Sequence, residues 1–162
     1  MRCIAVRTRR RRLVLASLAA LGGLIVAPAA DADDPAAIVQ ARVGHFKEIG
    51  RAAHIVQGEV AKSAPDATAI GDAARKIEGL AGQIPSWFPP GSGPDAGVTT
   101  QARAEIWSDP AGFRAKAAGL AASAQALGRA AASGEPAGMK SGFADLAQAC
   151  QSCHATFRTR EH

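Results

Sequence analysis

The chain has 162 residues, a length typical of one domain, and its formal net charge is +5. Six of its 19 lysines and arginines lie within the first twelve residues, ahead of an apolar stretch at residues 13–26. Residues 33–162 carry thirteen basic and thirteen acidic side chains. Because this larger part is electrically balanced, it lacks the basic surface of a nucleic-acid-binding protein.

The N-terminal segment has the features of a secretory signal peptide. A basic region is followed by a short apolar region and then by the small-residue sequence APAADADDP. We predict that residues 1–32 are removed, with cleavage after Ala29 or Ala32, and that residues 33–162 form the mature periplasmic domain. The apolar region is too short to span a bilayer comfortably, although an uncleaved membrane anchor is the alternative.

Apolar residues spaced three and four apart predict four helices and no strands. The first helix begins at Asp34-Pro35 and the second follows Pro65-Asp66, where a capping residue stands beside a proline. The predicted apolar seam of the first helix is Val39, Arg42, Phe46, Ile49, Ala53, Val56 and Val60, and that of the second is Ile70, Ala73, Ile77, Leu80 and Ile84.

The third and fourth helices are separated from the first pair by a segment rich in proline and glycine. Residues 85–97 are predicted to form a long surface crossover. The third helix begins at Ser108-Asp109-Pro110 and ends at Gly134, and the fourth begins at Glu135-Pro136. The predicted seam of the fourth helix is Met139, Phe143, Leu146, Cys150, Cys153 and Phe157.

Together these segments, each about 20 to 28 residues long, predict an all-α antiparallel four-helix bundle. Its seams are rich in alanine, so the helices either pack very closely or leave room for another group. Both thiols lie on the seam that faces this room.

The sequence CQSCH, residues 150–154, is the attachment motif of covalent c-type haem. Cys150 and Cys153 lie three residues apart on one side of a helix, so each thiol reaches one vinyl group, and His154 becomes an axial ligand of the iron. A zinc site is the first alternative, but His45, His54 and His162 are distant candidates for its other ligands. A thioredoxin-like redox pair is the second, although such a pair normally lies at a helix N-terminus.

Other segments of the chain resemble the cytochrome c-prime family, the class II c-type cytochromes. The segment ARVGHFKEIG at residues 41–50 is similar to the family's first-helix pattern, and EIWSD at residues 105–109 to the segment that leads into its third helix. The segment CHATFR at residues 153–158 is similar to the family's C-terminal pattern. The resemblance covers essentially the whole mature chain and implies a homodimer formed through the first two helices.

This resemblance also implies roles for individual residues. Cys150 and Cys153 hold one haem per chain, His154 is the proximal ligand, and Arg42 lies near a haem propionate. An arginine at a core position also requires a buried anion on general grounds, unless its side chain extends to solvent. Arg158 flanks the proximal histidine, or else it is a cation favoured by the helix dipole.

Phe46 occupies the position at which low-spin relatives place a methionine as sixth ligand. Phenylalanine cannot coordinate iron, so we expect a five-coordinate, high-spin iron with an open, apolar distal side. His45 is the rival sixth ligand, although one residue along a helix is a rotation of about 100°. Phe157 is expected to pack beside the haem and Met139 in the core, while His54 and His162 are expected at the surface.

Two functions follow from this reading of the site. The protein either transfers electrons to and from a small redox protein, or binds nitric oxide or carbon monoxide at the open position. A low-spin electron carrier with His45 as sixth ligand is the alternative, and a weak haem peroxidase is another. We expect no enzyme activity. Peroxide cleavage needs an acid or base on the distal side, and apart from His45 none is visible near Phe46.

Overall fold

The structure, a computed structural model, describes residues 34–159 and consists of four long helices and one short one. The helices are α1 (Pro35–Val60), α2 (Ala67–Ala81), α3 (Glu105–Ser108), α4 (Pro110–Ser133) and α5 (Pro136–Phe157). This arrangement confirms the predicted all-α fold with four long helices. The predicted signal peptide, its cleavage site and His162 lie outside the described residues.

α1, α2 and α4 begin where the sequence predicted, and α4 ends where it predicted, because their terminal residues satisfy free backbone groups or adopt the required conformation. Asp34, Asp66 and Asp109 each accept hydrogen bonds from backbone N–H groups of the first turns of α1, α2 and α4. Gly134 ends α4 with φ of 73°, a left-handed conformation that glycine adopts without a steric penalty.

α2 differs from the prediction, because it has 15 residues and ends at Ala81. Gly82 follows as the C-cap, and Ile84 lies in a separate 3₁₀ turn, Ile84–Trp87, whose second residue is Pro85. Pro85 has no N–H group to donate a further helical hydrogen bond, so the helix stops although the apolar spacing continues to Ile84. Ile84 is nevertheless buried, as its place in the seam implied.

The central core lies between α2 and α4. Ile70, Ala74 and Ile77 of α2 and Ala124 and Leu127 of α4 have no solvent exposure at all. Alanines alternate with larger aliphatic residues on these helices, so the helices pack closely. By contrast, α1 packs mainly on α2 and α5 mainly on α4, while α1 and α5 touch each other sparsely. None of the helices described between residues 34 and 159 is long and apolar enough to cross a membrane.

The connection between α2 and α3 is a long crossover, as predicted, but only part of it lies at the surface. Trp87 and Ser92 are buried and Phe88 is half-buried, so this segment covers one end of the bundle. The Trp107 indole N–H donates a hydrogen bond of 3.1 Å to the Pro89 carbonyl, which fixes the segment against α3. Its aromatic side chains need an apolar environment, and a prediction based on prolines and glycines overlooks that requirement.

Candidate haem site

The two cysteines and the adjacent histidine lie in the last two turns of α5. Cys150 and Cys153 are free thiols and are half-buried, and His154 is exposed. The predicted position of both thiols on the seam is therefore only partly right, because they are less buried than the aliphatic residues earlier on α5. The sparse contact between α1 and α5 leaves this part of the seam uncovered.

The electrostatic environment of the thiols differs from that of a redox-active pair. Burial raises the pKa of Cys150, and burial together with the nearby Cys150 raises the pKa of Cys153. A thioredoxin-like pair needs a lowered thiol pKa, because the thiolate is its nucleophile. The position of both cysteines deep in α5, far from its N-terminus, agrees with this difference.

The surroundings of His154 favour the neutral form of its imidazole. Burial lowers the pKa of its imidazole, and the positive charge of Arg158 lowers it further. A neutral imidazole offers a free lone pair to a metal, whereas an imidazolium does not. Within residues 34–159, no three His, Cys, Asp or Glu side chains come together as a metal-holding cluster. A neutral imidazole beside the thiols of Cys150 and Cys153 fits the predicted role of these residues in holding a haem.

Arg42 is the largest fully buried side chain of the described chain, at 2 % exposure. Its guanidinium donates hydrogen bonds to the Ser92 hydroxyl at 3.0 Å and to the Thr100 hydroxyl at 2.7 Å. The alternative in which Arg42 extends to solvent is therefore wrong. Burial lowers the pKa of the group, and none of the ion pairs among the described residues includes it.

Two aromatic rings complete the surroundings of Arg42. Its Cζ lies 4.7 Å from the ring centroid of Phe88 and 5.9 Å from that of Trp107, within the range of cation–π attraction. Hydroxyl groups and aromatic rings orient the guanidinium, but they do not neutralise it. A buried cation held in this way fits an anionic group such as a haem propionate, which supplies the missing negative charge.

Phe46 and His45 are adjacent on α1, and both contact Trp87. Phe46 is half-buried and packs against Phe88 and Trp87, with ring centroids 6.1 Å and 5.4 Å away. His45 stacks on Trp87, with centroids 4.7 Å apart and an angle of 25° between the rings. The structure thus gives His45 an aromatic partner that the sequence did not reveal.

Phe157 and Arg158 lie where α5 ends. Phe157 is buried and meets Phe113 edge-on with ring centroids 5.2 Å apart, which confirms its predicted packing role. Arg158 is exposed, and its Nε donates a hydrogen bond of 2.7 Å to the Gln101 side chain. Its backbone pairs with Ala102 in an isolated β-bridge. Arg158 therefore ties the end of α5 to the segment before α3 while its charge acts on His154.

Other predicted residues take simpler positions. Met139 is buried in the core, as expected, and His54 is exposed on α1. The residues that sequence reasoning missed are Trp87, Phe88 and Ser92, in the segment taken for a surface crossover, and Thr100, just after it. Its aromatic pair WF at residues 87–88 is the signal that could have indicated burial.

The comparisons with known proteins agree with this geometry. A family model described as Cytochrome C' matches residues 37–158. A cytochrome c' of Pararhodospirillum photometricum is 38% identical over 91 residues, which are 54% of this chain and 70% of that protein. A cytochrome c' of Rhodospirillum rubrum is 31% identical over 157 residues, covering 92% of this chain and 98% of that protein.

The fold matches solved structures as well. A mutant of cytochrome c prime from Alcaligenes xylosoxidans, solved as a nitric oxide complex, superimposes with a TM-score of 0.63 at 26% identity. The match covers 79% of this chain and 98% of that one. The chain therefore belongs to the cytochrome c' family, whose members are electron-transfer or gas-binding proteins that carry covalent c-type haem.

Proposed function

We propose that this protein carries one haem c per chain with a five-coordinate iron, and that it binds nitric oxide or carbon monoxide at the open position. The observation that carries the proposal is the half-buried side chain of Phe46 on α1, whose phenyl ring packs on Trp87 and Phe88 and has no lone pair to offer an iron. When bound, the haem supplies an iron that changes between ferric and ferrous states and accepts small ligands.

The residues of this chain then have distinct tasks. Cys150 and Cys153 anchor the haem covalently, and His154 holds the iron from the proximal side with a neutral imidazole. Arg42 neutralises a propionate from its buried position. Phe46 keeps the distal side apolar and narrow, which favours small uncharged ligands over water and anions.

The similarity to the Alcaligenes xylosoxidans protein supports the gas-binding part of the proposal, because that protein was solved with nitric oxide bound. Electron transfer to a small redox protein remains compatible with the same site, and we propose it as the second function. Catalysis is not part of the proposal, because peroxide cleavage needs a distal acid or base and the nearest candidate, His45, is stacked on Trp87.

The absorption spectrum of the purified haem protein tests the proposal. We expect a broad high-spin spectrum in the ferrous state that changes when carbon monoxide or nitric oxide is added. Phe46→Met should convert the iron to a low-spin form that resists carbon monoxide, whereas the matched control Phe46→Leu should stay high-spin. Sharp α and β bands in the unmodified protein, unmoved by carbon monoxide, would contradict the proposal.

We further propose that the protein acts in the periplasm as a homodimer formed through α1 and α2. Val43 and Ile55 of α1 support the dimer, because they are large apolar side chains with 43% and 51% exposure. Sedimentation of the haem protein should give the mass of two chains, and Ile55→Lys should shift it toward one. N-terminal sequencing of the exported protein, expected to begin after Ala29 or Ala32, tests the signal peptide.

A further inference from the structure

Trp87 lies against two successive side chains of α1. Its ring stacks face-to-face on His45 at 4.7 Å and meets Phe46 at a right angle, with centroids 5.4 Å apart. Trp87 is the last residue of the 3₁₀ turn Ile84–Trp87 and is 9% exposed. One buried ring therefore sets the positions of both His45 and Phe46.

The two side chains held by Trp87 would have opposite effects on the iron. Imidazole is a strong ligand for haem iron, whereas a phenyl ring cannot coordinate it. Residues one apart on a helix differ by about 100° in direction, so His45 needs a rotation of α1 or a new side-chain rotamer to take the place of Phe46. Either movement would separate the imidazole from the face of Trp87 and disturb the contact of Phe46 with its edge.

We propose that Trp87 is a positioning residue that keeps the sixth coordination position free by holding His45 against its face and Phe46 against its edge. The inference rests on the proposed function, because it presumes that the iron of the unmodified protein is five-coordinate. Trp87 thereby favours the gas-binding form over a low-spin form with two histidine ligands.

The haem-loaded variant Trp87→Leu tests this inference. It removes the stacking partner of His45 and opens space beside Phe46, so the ferric spectrum and the electron paramagnetic resonance signal should become low-spin. If His45 then occupies the iron nine-tenths of the time, the apparent affinity for carbon monoxide falls about tenfold.

Two double variants identify the ligand. Adding His45→Ala to Trp87→Leu should restore the high-spin spectrum and the carbon monoxide affinity, because it removes the competing imidazole. Adding His54→Ala, which changes an exposed histidine of the same helix, should leave the low-spin spectrum in place.

The outcomes separate this inference from the proposed function. A low-spin spectrum in the unmodified protein overturns the proposed function. A high-spin unmodified protein with a folded Trp87→Leu variant that is equally high-spin overturns the inference, as does a low-spin spectrum that persists after His45→Ala. If Trp87→Leu does not fold, nuclear Overhauser contacts between the His45 and Trp87 rings in the carbon monoxide complex decide: their presence supports the inference, and their absence overturns it.

Discussion

Two sides of the bundle carry apolar residues at the same spacing of three and four, yet they pack differently. One side lies between α2 and α4, and the other is where α1 faces α5. Ile70, Ile77 and Leu127 are completely buried on the first side, whereas Phe46 and Cys153 are only half-buried on the second. The sequence allowed either close packing or room for another group. In the structure the first side is closely packed, whereas α1 and α5 contact each other only sparsely on the second.

The difference shows that alanine content alone does not decide how closely two helices approach. Between α2 and α4, small residues face isoleucine and leucine, so these side chains pack closely along the core. On the other side, the large side chains of Arg42 and Phe46 lie on α1, while the thiols of Cys150 and Cys153 lie on α5. A closed core and a binding site thus share one spacing pattern and differ in the residues that face each other.

The largest expected effect is the loss of covalent haem when both thiols are removed from the side where α1 faces α5. Cys150→Ser combined with Cys153→Ser should abolish covalent haem, because no sulfur is left to bond the vinyl groups. Haem staining after denaturing electrophoresis measures the attachment. Ser152→Ala, between the two cysteines, is the matched control and should keep its haem. Haem that stays bound to the double variant after denaturation would contradict the assignment of the motif.

Changing Arg42 should affect the haem-loaded and haem-free proteins in opposite ways. Arg42→Met removes the partner of the buried propionate, which should lower the free energy of unfolding of the haem protein by about 3–5 kcal/mol. In the haem-free cysteine variant, it removes a buried charge without a counter-ion, so stability should stay equal or rise. Arg75→Met changes an exposed arginine and should have little effect in either form. Denaturant unfolding measures each value, and equal losses in both forms would argue against the propionate role.

Two glycines test how closely side chains pack around α4. A Cβ atom on Gly142 of α5 would lie 3.2 Å from the Cδ1 atom of Leu127, whereas one on Gly119 of α4 would meet nothing within 4 Å. Gly142→Ala should therefore lower the free energy of unfolding by about 1 kcal/mol through overpacking. Gly119→Ala should raise it by about 0.5–1 kcal/mol, because alanine favours the helix. Thermal unfolding measures both, and a stabilising Gly142→Ala would show that the core has spare room.

The smallest expected effect concerns the ion pair between α1 and α2. Lys76 Nζ lies 3.1 Å from Glu48 Oε2, and the hydrogen bond and charge of Lys76 lower the pKa of Glu48. A lowered pKa in the folded state adds stability that is present above the ordinary value, about 4.3, and is lost as the pH falls below it. Glu48→Gln should thus lower the melting temperature slightly at pH 7 and leave it unchanged in strong acid. A difference that persists in acid would assign the effect to packing instead.

Much of the fold was predictable because its signals are local. Asp34, Asp66 and Asp109 cap the helices that follow them, and Gly134 ends α4, as their positions beside apolar repeats implied. The early end of α2 was not predictable from spacing, since the apolar repeat continues to Ile84. A helix ends where its backbone can no longer form helical hydrogen bonds, and the spacing of apolar side chains does not indicate that position.

The site was predictable to the extent that its chemistry lies in a short motif. Cys150, Cys153 and His154 lie within five residues, so the sequence alone predicts the haem attachment and the proximal ligand. The positions of Arg42 and Phe46 in the seam of α1 indicated their roles, because helical spacing places both toward the bundle interior.

Only the tertiary structure decided what surrounds these residues. Ser92 and Thr100 reach Arg42 from 50 and 58 residues away, and Trp87 meets His45 from another segment. Such contacts depend on how the chain returns across the end of the bundle. The sequence alone predicts which groups bind the haem, while the fold decided that Arg42 is buried and that His45 lies on Trp87, because burial and stacking are properties of chain segments brought together.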